Sequence, residues 1–591
     1  MAQAGASSWL PAAELPGRQF RKLLQQLPFQ DPLQRAYMQA LSDDLDVAWM
    51  LLGSFLIFFM QCGFAMLEAG LIRAKNTKNI LLKSLMDSCL GGLMWWACGY
   101  SFAFGKNQSG GAFIGSQNFL QLDLGANHGK HWGSFMFQFA FAITAIAIVS
   151  GAVAERCQFR AYVINTAVLA GFTYPVAAHW VWSSQGWLSA FRPEGPLLGG
   201  CGLIDFAGSG VVHITGGACA LVAAWQLGPR FGRFNEDGTV NNMPGHSVIM
   251  ATLGTFILWF GWYGFNPMST QKVLGQMETS SKVAVNTTLA AASGGLFALL
   301  IDSVYFKCQP DVPPMLNGCI SALVGITGNC AVVEPYAAVV IGCVAVMFYR
   351  GAVALLVKLQ IDDPIDASCV HFGAGVWGLL ASGLFARAED VLLAYGIPGI
   401  SGVFYGGNGR QLGLQLLGMA CLSAWSLAMS WAVFAGLRRC GMLRVNLRAE
   451  LQGLDAALHG GYAYDFCVEE DINVENVMAI INDDLRTQPV PESILALKES
   501  LNKALRKPSG PSLAGSTVAH ILLMAVGDHN SSQSSMSSLS GVPQRYRTST
   551  RQSLDTSNAA AMAPYARHSV SQPVPRALQL SRLSAGMPVE V

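Results

Sequence analysis

Two histidines in this chain of 591 residues stand where a titratable ring is least at home. His213 lies in VVHITGG (211–217) and His371 in CVHFGAG (369–375), each inside a long apolar, glycine-rich run. A neutral imidazole accepts one hydrogen bond, donates another and takes up a proton near neutral pH. Two such rings in a dry setting could accept hydrogen bonds from a small N–H donor and pass a proton along. Each follows an aspartate at the expected start of its helix: Asp205 in DFAGSGVVHITGG and Asp366 in DPIDASCVHFGAG. Aspartate suits that place, because it accepts from free backbone N–H groups beside the positive helix end. A lone buried histidine is most often a satisfied core residue. Two in matching Asp-to-His-to-Gly settings of an apolar chain point instead to function.

Other residues fit a mouth above these rings. In FMFQFAFAIT, Phe137, Gln138 and Phe141 fall near one helical face; in GWYGFNPMST, Phe265 precedes the Asn266-Pro267 break and Ser269 stands just beyond. AAHWVW places Trp180 and Trp182 at the end of another helix. Taken singly, such aromatics are belt residues at a membrane interface. Together they could hold a small cation, each ring contributing roughly 0.5–2 kcal/mol, with a serine hydroxyl accepting from an N–H donor.

The elements that position these groups follow from composition. The chain is 52% hydrophobic and only 12% charged, about half the charge of a soluble domain. Apolar runs near the roughly 20 residues needed to cross a bilayer recur from 45 to 437. Helices are expected near 45–69, 79–104, 131–153, 161–182, 203–227, 247–267, 283–305, 315–333, 335–357, 367–386 and 411–437, with small residues such as ASGG (292–295) for close packing. With the first helix starting outside, the internal loops gather Arg73, Lys75, Lys78, Arg156, Arg160, Arg230, Arg233, Arg438 and Arg439, against few external cations such as Lys106, Lys130 and Lys272. That asymmetry favours an external N-terminus and a cytosolic C-terminus, although Arg18, Arg21, Lys22 and Arg35 pull the other way. Residues 1–30 lack an apolar core for a cleavable signal, so the first helix is expected to direct insertion. In this topology the two histidine helices enter from opposite faces, as in transporters built from inverted repeats.

With these residues in place, the chain resembles the Amt/Mep/Rh family of ammonium transporters, in its plant-type Amt branch. The matching stretches are MQCGFAMLEAGLIRAKNTKNI, GYSFAFG, FQFAFAITAIAIVSGAVAERCQF, DFAGSGVVHITGG, GWYGFNP, DDPIDASCVHFGAGVWG and LQGLDAALHGGYAYDF, spread over about 42–466. The resemblance implies an all-α polytopic membrane protein of eleven transmembrane helices: two inverted five-helix repeats plus a final helix, with a pore in each subunit of a homotrimer. It implies that Trp182 and Ser269, with Phe141 beside them, recruit ammonium at the external mouth. Phe141 and Phe265 would stack as a gate below, His213 and His371 would be twin pore histidines, Asp205 a supporting buried carboxylate, and Gln138 a vestibule residue. The expected function is uptake of ammonium, which loses its proton and crosses as ammonia with net charge movement, at the plasma membrane. An Rh-type channel for neutral gas is disfavoured by Trp182 and Ser269.

The expected organisation is an external arm (1–44), the transporter domain (45–437), a cytosolic C-terminal region (438–466) and a Ser-rich, disordered cytosolic tail (467–591). By resemblance the C-terminal region couples subunits; Ala457 stands where plant-type members often carry a phosphorylatable threonine before HGG. A PII-type regulator or a kinase acting on the tail are partners by analogy. PESILALKESLNKALRKP (491–508) carries Ile494, Leu497, Leu501 and Leu505 at helical spacing and could touch membrane. VAHILLMAV (518–526) is too short to span. Asn107-Gln108-Ser109 is a glycosylation sequon in a loop placed outside. The fourteen cysteines show no paired metal spacing. No nucleophile–base pair or phosphate loop suggests an enzyme, and no cofactor or nucleic acid is expected. A sensor would act through its tail, which shows no recognisable signalling domain.

Overall fold

In a computed structural model of the chain, residues 32–107, 111–122, 128–235, 237–305 and 307–464 are described. By packing the chain divides into two units, Met1–Glu470 and Asp471–Val591, and the second lies outside the described residues. So do most of the expected N-terminal arm, the Ser-rich tail with its 491–508 and 518–526 segments, and Gln108 and Ser109 of the sequon.

The described residues form helices and no strands, with three isolated bridges between loops. Eleven principal helical segments follow in order. They are α1 (Pro32–Leu71), α2 (Thr77–Met94, continued through Trp95–Gly99 into Tyr100–Phe104), α3 (His128–Ala152), α4 (Phe159–Trp182) and α5 (Ser209–Leu227). After them come α6 (Val248–Phe265, with a turn at Pro267–Thr270), α7 (Met277–Leu300), α8 (Val312–Thr327), α9 (Pro335–Lys358), α10 (Cys369–Phe385) and α11 (Arg410–Arg439). Eight helices among the described residues are long and apolar enough to cross a membrane. A ninth is added if α10 is taken with Ala388–Tyr395, from which it is bent by 114°. Of the remaining two, α2 carries Lys83 and Asp87 and α8 has 16 residues. The largest departure from the expected limits is at the start. The first helix begins at Pro32, because PLQRAYMQALSDD is polar but holds no helix breaker after its opening proline, a residue tolerated in the first turn.

Burial follows from position in the bundle. In α3, every residue from Phe137 to Ala152 is buried, so this helix is surrounded by others. By contrast α1, α6, α9 and α11 expose large apolar side chains such as Phe55, Phe256, Met347 and Trp431, as helices facing hydrocarbon do. The small residues in ASGG let α7 and α8 touch: the face of Gly294 meets Gly318 and Ala322. The two ends of the bundle differ. One end, here the gate side, carries Trp182 and the turn after Phe265. At the other, the tail side, the segment after α11 folds back through two short helices, Leu447–Gln452 and Leu454–Leu458, onto the loops.

Candidate functional site

The histidines come together. Each sits in a π-helical turn at the start of its helix, Ser209–Ile214 in α5 and Cys369–Gly373 in α10, where the looser coil turns a side chain inward. His213 Nδ1 lies 3.1 Å from His371 Nδ1, and the rings are near-parallel at 5.2 Å. A bond between two Nδ1 atoms requires one to carry the proton and the other to accept it. The two Nε2 atoms of the neutral pair are then opposite in character, one a donor and one an acceptor, and they exchange roles only when the shared proton crosses while one Nε2 loses a proton and the other gains one. Nothing among the described residues hydrogen-bonds His213 Nε2.

Caps and glycines explain why the helices cross at this point. Asp205 Oδ2 accepts from the N–H groups of Gly210 (3.0 Å) and Val211 (2.8 Å). The counterpart in α10 is Asp363, whose Oδ2 accepts from the N–H and hydroxyl of Ser368, both at 2.7 Å. The expectation that Asp366 caps this helix is therefore corrected. Asp366 has a left-handed backbone (φ 59°) and its carboxylate accepts from the Tyr349 hydroxyl at 3.0 Å. Asp205 and Asp363 each stand eight residues before their histidine, and a glycine stands four residues after each histidine. A Cβ on Gly217 would strike the backbone of Phe372 and His371, and one on Gly375 would fall 2.7 Å from Ser209 O. Each motif's glycine thus makes room for the other motif's backbone. Reading the sequence for one shared spacing, Asp to His to Gly, would have identified Asp363 in place of Asp366.

Above the histidines the rings continue in file. Phe265 stacks on His213 at 5.7 Å, Phe141 lies 4.1 Å from Phe265, and Trp182 meets Phe141 edge-on at 5.6 Å. Trp182 is fixed by its indole N–H, which donates to Asp205 O at 2.9 Å. Trp262, a residue that sequence reasoning did not single out, stacks on His213 at 5.6 Å and donates to Thr327 Oγ1 at 2.9 Å. Two expected members are less tightly joined. Ser269 follows Phe265 by one turn, and its hydroxyl donates to Phe265 O at 2.7 Å. Gln138 is buried, its carbonyl oxygen without a partner among the described residues. On the tail side, Phe64 and Glu68 of α1 share a small cavity with His371.

The tail side is as charged as the ring file is apolar. Arg73 donates to Glu155 from its backbone N–H (2.9 Å) and its Nε (2.6 Å); Arg230 lies 3.4 Å from Glu155 and 2.8 Å from Asp362. Burial alone would raise the Glu155 carboxyl, but Arg230 and Arg73 outweigh it and hold it down at about 2. The segment after α11 docks on these loops of its own chain. Arg444 reaches Leu227 O and Pro229 O and pairs with Glu450; Asp455 accepts from the N–H groups of Lys78 and Asn79 at the start of α2; His459 Nε2 meets the Asn79 amide at 2.8 Å.

An all-helical membrane bundle with a buried, uncharged file of rings ending in a histidine pair defines a transporter or channel for a small solute. The sequence profile of the Ammonium Transporter Family matches residues 48–464, and the chain belongs to that family. It is 41% identical over 444 residues to ammonium transporter 1 member 1 of Oryza sativa subsp. japonica, covering 73% of this chain and 88% of that protein. It is 42% identical over 417 residues to ammonium transporter 1 member 1 of Arabidopsis thaliana, covering 69% and 82%. Among solved structures it is similar to one titled Sensor Amt Protein (TM-score 0.64, 34% identity, 71% of this chain and 100% of that one). It is also similar to Mep2 of Candida albicans (TM-score 0.62, 31% identity, 71% and 90%). These similarities support the plant-type branch, and the family is one of transporters, not enzymes.

Proposed function

We propose that this chain takes up ammonium across the plasma membrane, with the gate side outside and the tail side in the cytosol. The observation that carries the reading is the unbroken file from Trp182 through Phe141 and Phe265 to the paired imidazoles. Trp182, Phe141 and Ser269 hold the cation at the outer mouth, with Gln138 in the same vestibule, and Phe141 and Phe265 close the passage beneath. Ammonium and potassium are similar in size, so fit alone does not separate them. Entering an apolar passage as a bare ion is costly for both, but ammonium can leave its proton behind and continue as ammonia. The histidine pair then offers one donor and one acceptor to a neutral N–H molecule, and the shared proton gives the released charge a route of its own. Asp205 steadies the gate side of this arrangement. Net charge therefore moves with nitrogen.

In this reading all eleven segments cross the membrane as two inverted five-helix repeats plus a final helix, and three copies assemble with one pore each. The region after α11 is cytosolic and regulatory, and a PII-type protein or a kinase acting on the tail is its partner. The test is expression in cells lacking ammonium uptake, with growth and current recorded on the same protein. Growth on low ammonium and an inward current that saturates with ammonium, and not with potassium, are expected. Growth without current would favour a neutral-gas channel.

A further inference from the structure

A second set of titratable groups lies buried at the tail-side end of α1 and α2, outside the ring file. Glu68 of α1 is 1% exposed, and Lys83 and Asp87 of α2 are fully enclosed. Asp87 is well supplied: it accepts from the Tyr162 hydroxyl at 2.5 Å and the Thr166 hydroxyl at 3.0 Å. Glu68 is not. Both its oxygens lie 2.5 Å from one hydroxyl, that of Ser150, which is also 2.7 Å from Ala147 O. A hydroxyl has one hydrogen, so it cannot serve three acceptors at once. The Gly151 backbone N–H also supports the carboxyl, and part of the acceptor capacity of Glu68 is left over.

The leftover capacity faces the substrate path. Glu68 lines the same cavity as His371, together with Phe64, Ile148, Asn317 and Val370. The charged groups that act on it from neighbouring elements are Asp87 and Lys83. Lys83 Nζ has no hydrogen-bond partner among the described residues; it lies 5.3 Å from the centre of the Tyr162 ring. The Lys83 amine therefore occupies neither oxygen of Glu68.

Resting on the reading of the ring file as an ammonium path, we propose that Glu68 is the inner proton-exchange residue of transport, returning a proton to ammonia as it leaves the histidine pair. The step balances. Ammonium entering from outside splits into ammonia and a proton; the proton passes the imidazoles and binds a Glu68 carboxylate oxygen. When ammonia arrives in the cavity, the carboxyl O–H bond breaks as a new N–H bond forms. Ammonium departs to the cytosol and the carboxylate is restored. Ser150 is a positioning residue that holds the carboxyl toward the cavity.

The test records current and uptake of nitrogen-15 ammonium on the same membranes holding the full chain. Removing a group that transfers protons lowers a rate by about 100-fold. Glu68→Gln, which keeps the shape and the Ser150 contact, is expected to lose current by that order while nitrogen uptake falls far less. Glu68→Asp should recover part of the current, and Ser150→Ala, which loses the hold on the carboxyl, should lower the ratio of charge to nitrogen in the same direction as Glu68→Gln but by less. An unchanged ratio in a folded Glu68→Gln protein overturns the proposal. If that variant does not reach the membrane, Glu68→Asp decides: it must depress current more than uptake, and equal losses overturn the proposal. An unsubstituted protein that moves nitrogen without charge would instead sink the reading of the whole path.

Discussion

Leading into α5 the chain runs from Asp205 through His213 to Gly217, and leading into α10 it runs from Asp363 through His371 to Gly375 at the same intervals. The local chemistry is shared: a carboxylate accepting at the helix start, a π turn, a histidine, and a glycine against the other helix. The surroundings differ. His213 packs against both Trp262 and Phe265, whereas His371 faces Phe64 and opens on the cavity it shares with Glu68. One framework used twice sets the two rings together. Neighbouring aromatics and carboxylates give the two rings different surroundings, and in the proposed path one lies beneath a gate and the other at an exit.

The largest effect in breaking this comparison should come from the glycines. Leucine at Gly217 or Gly375 would drive a side chain into backbone, and overpacking typically costs about 1–3 kcal/mol, with backbone contacts this close placing both sites at the upper end. Unfolding of the purified protein should show that loss for both sites, with transport gone. Leucine at Gly413 of α11, where no atom lies within 4 Å of an added Cβ, should change neither.

Next come the gate aromatics. Phe265→Ala removes the ring between Phe141 and His213, and ion-substitution recording should then show potassium competing with ammonium. Phe64→Ala, below His371, should alter rate and leave selectivity in place. Substituting the two aspartates sharpens the contrast further. Asp205→Ala and Asp363→Ala each remove the acceptor for buried donors, a loss of about 1–3 kcal/mol for the groups left unpaired. Asp205→Asn can still accept these hydrogen bonds but carries no charge. It should lower transport by a larger factor than Asp363→Asn at equal surface expression. Equal factors would reduce Asp205 to a helix cap.

Much of this was legible in sequence. The apolar run lengths marked the helical segments, eight or nine of which are long and apolar enough to cross a membrane among the described residues, and the motifs marked the aromatic residues and both histidines. What escaped was relational. Asp366 and Asp363 are equally good cap residues by type, and only the hydrogen bonds to Ser368 choose between them. Trp262 reads as an ordinary apolar helix residue until it stacks on His213. Glu68 sits in a quoted motif, AMLEAG, yet its relation to His371 depends on how α1 and α10 pack. The helical reach of α1 back to Pro32 was hidden by polarity, which marks where a membrane ends and not where a helix does.

The smallest effect on transport should come from the charged tail side. Glu155→Gln removes a carboxylate that Arg230 and Arg73 hold at about 2, against 4.5 when unperturbed. The sign follows from a lowered folded-state value. The stabilisation is complete above about 4.5 and disappears as pH falls toward 2, amounting to about 3 kcal/mol at neutral pH. Melting of the unsubstituted protein should therefore fall between pH 5 and 3 more steeply than melting of Glu155→Gln.

The central claim is that His213 and His371 together discriminate ammonium from other cations. It is tested most directly by current recording on the double variant His213→Leu/His371→Leu, with folded protein at the cell surface measured alongside. The account predicts that the ammonium-selective current is abolished. A current of ordinary size that still excludes potassium would contradict it.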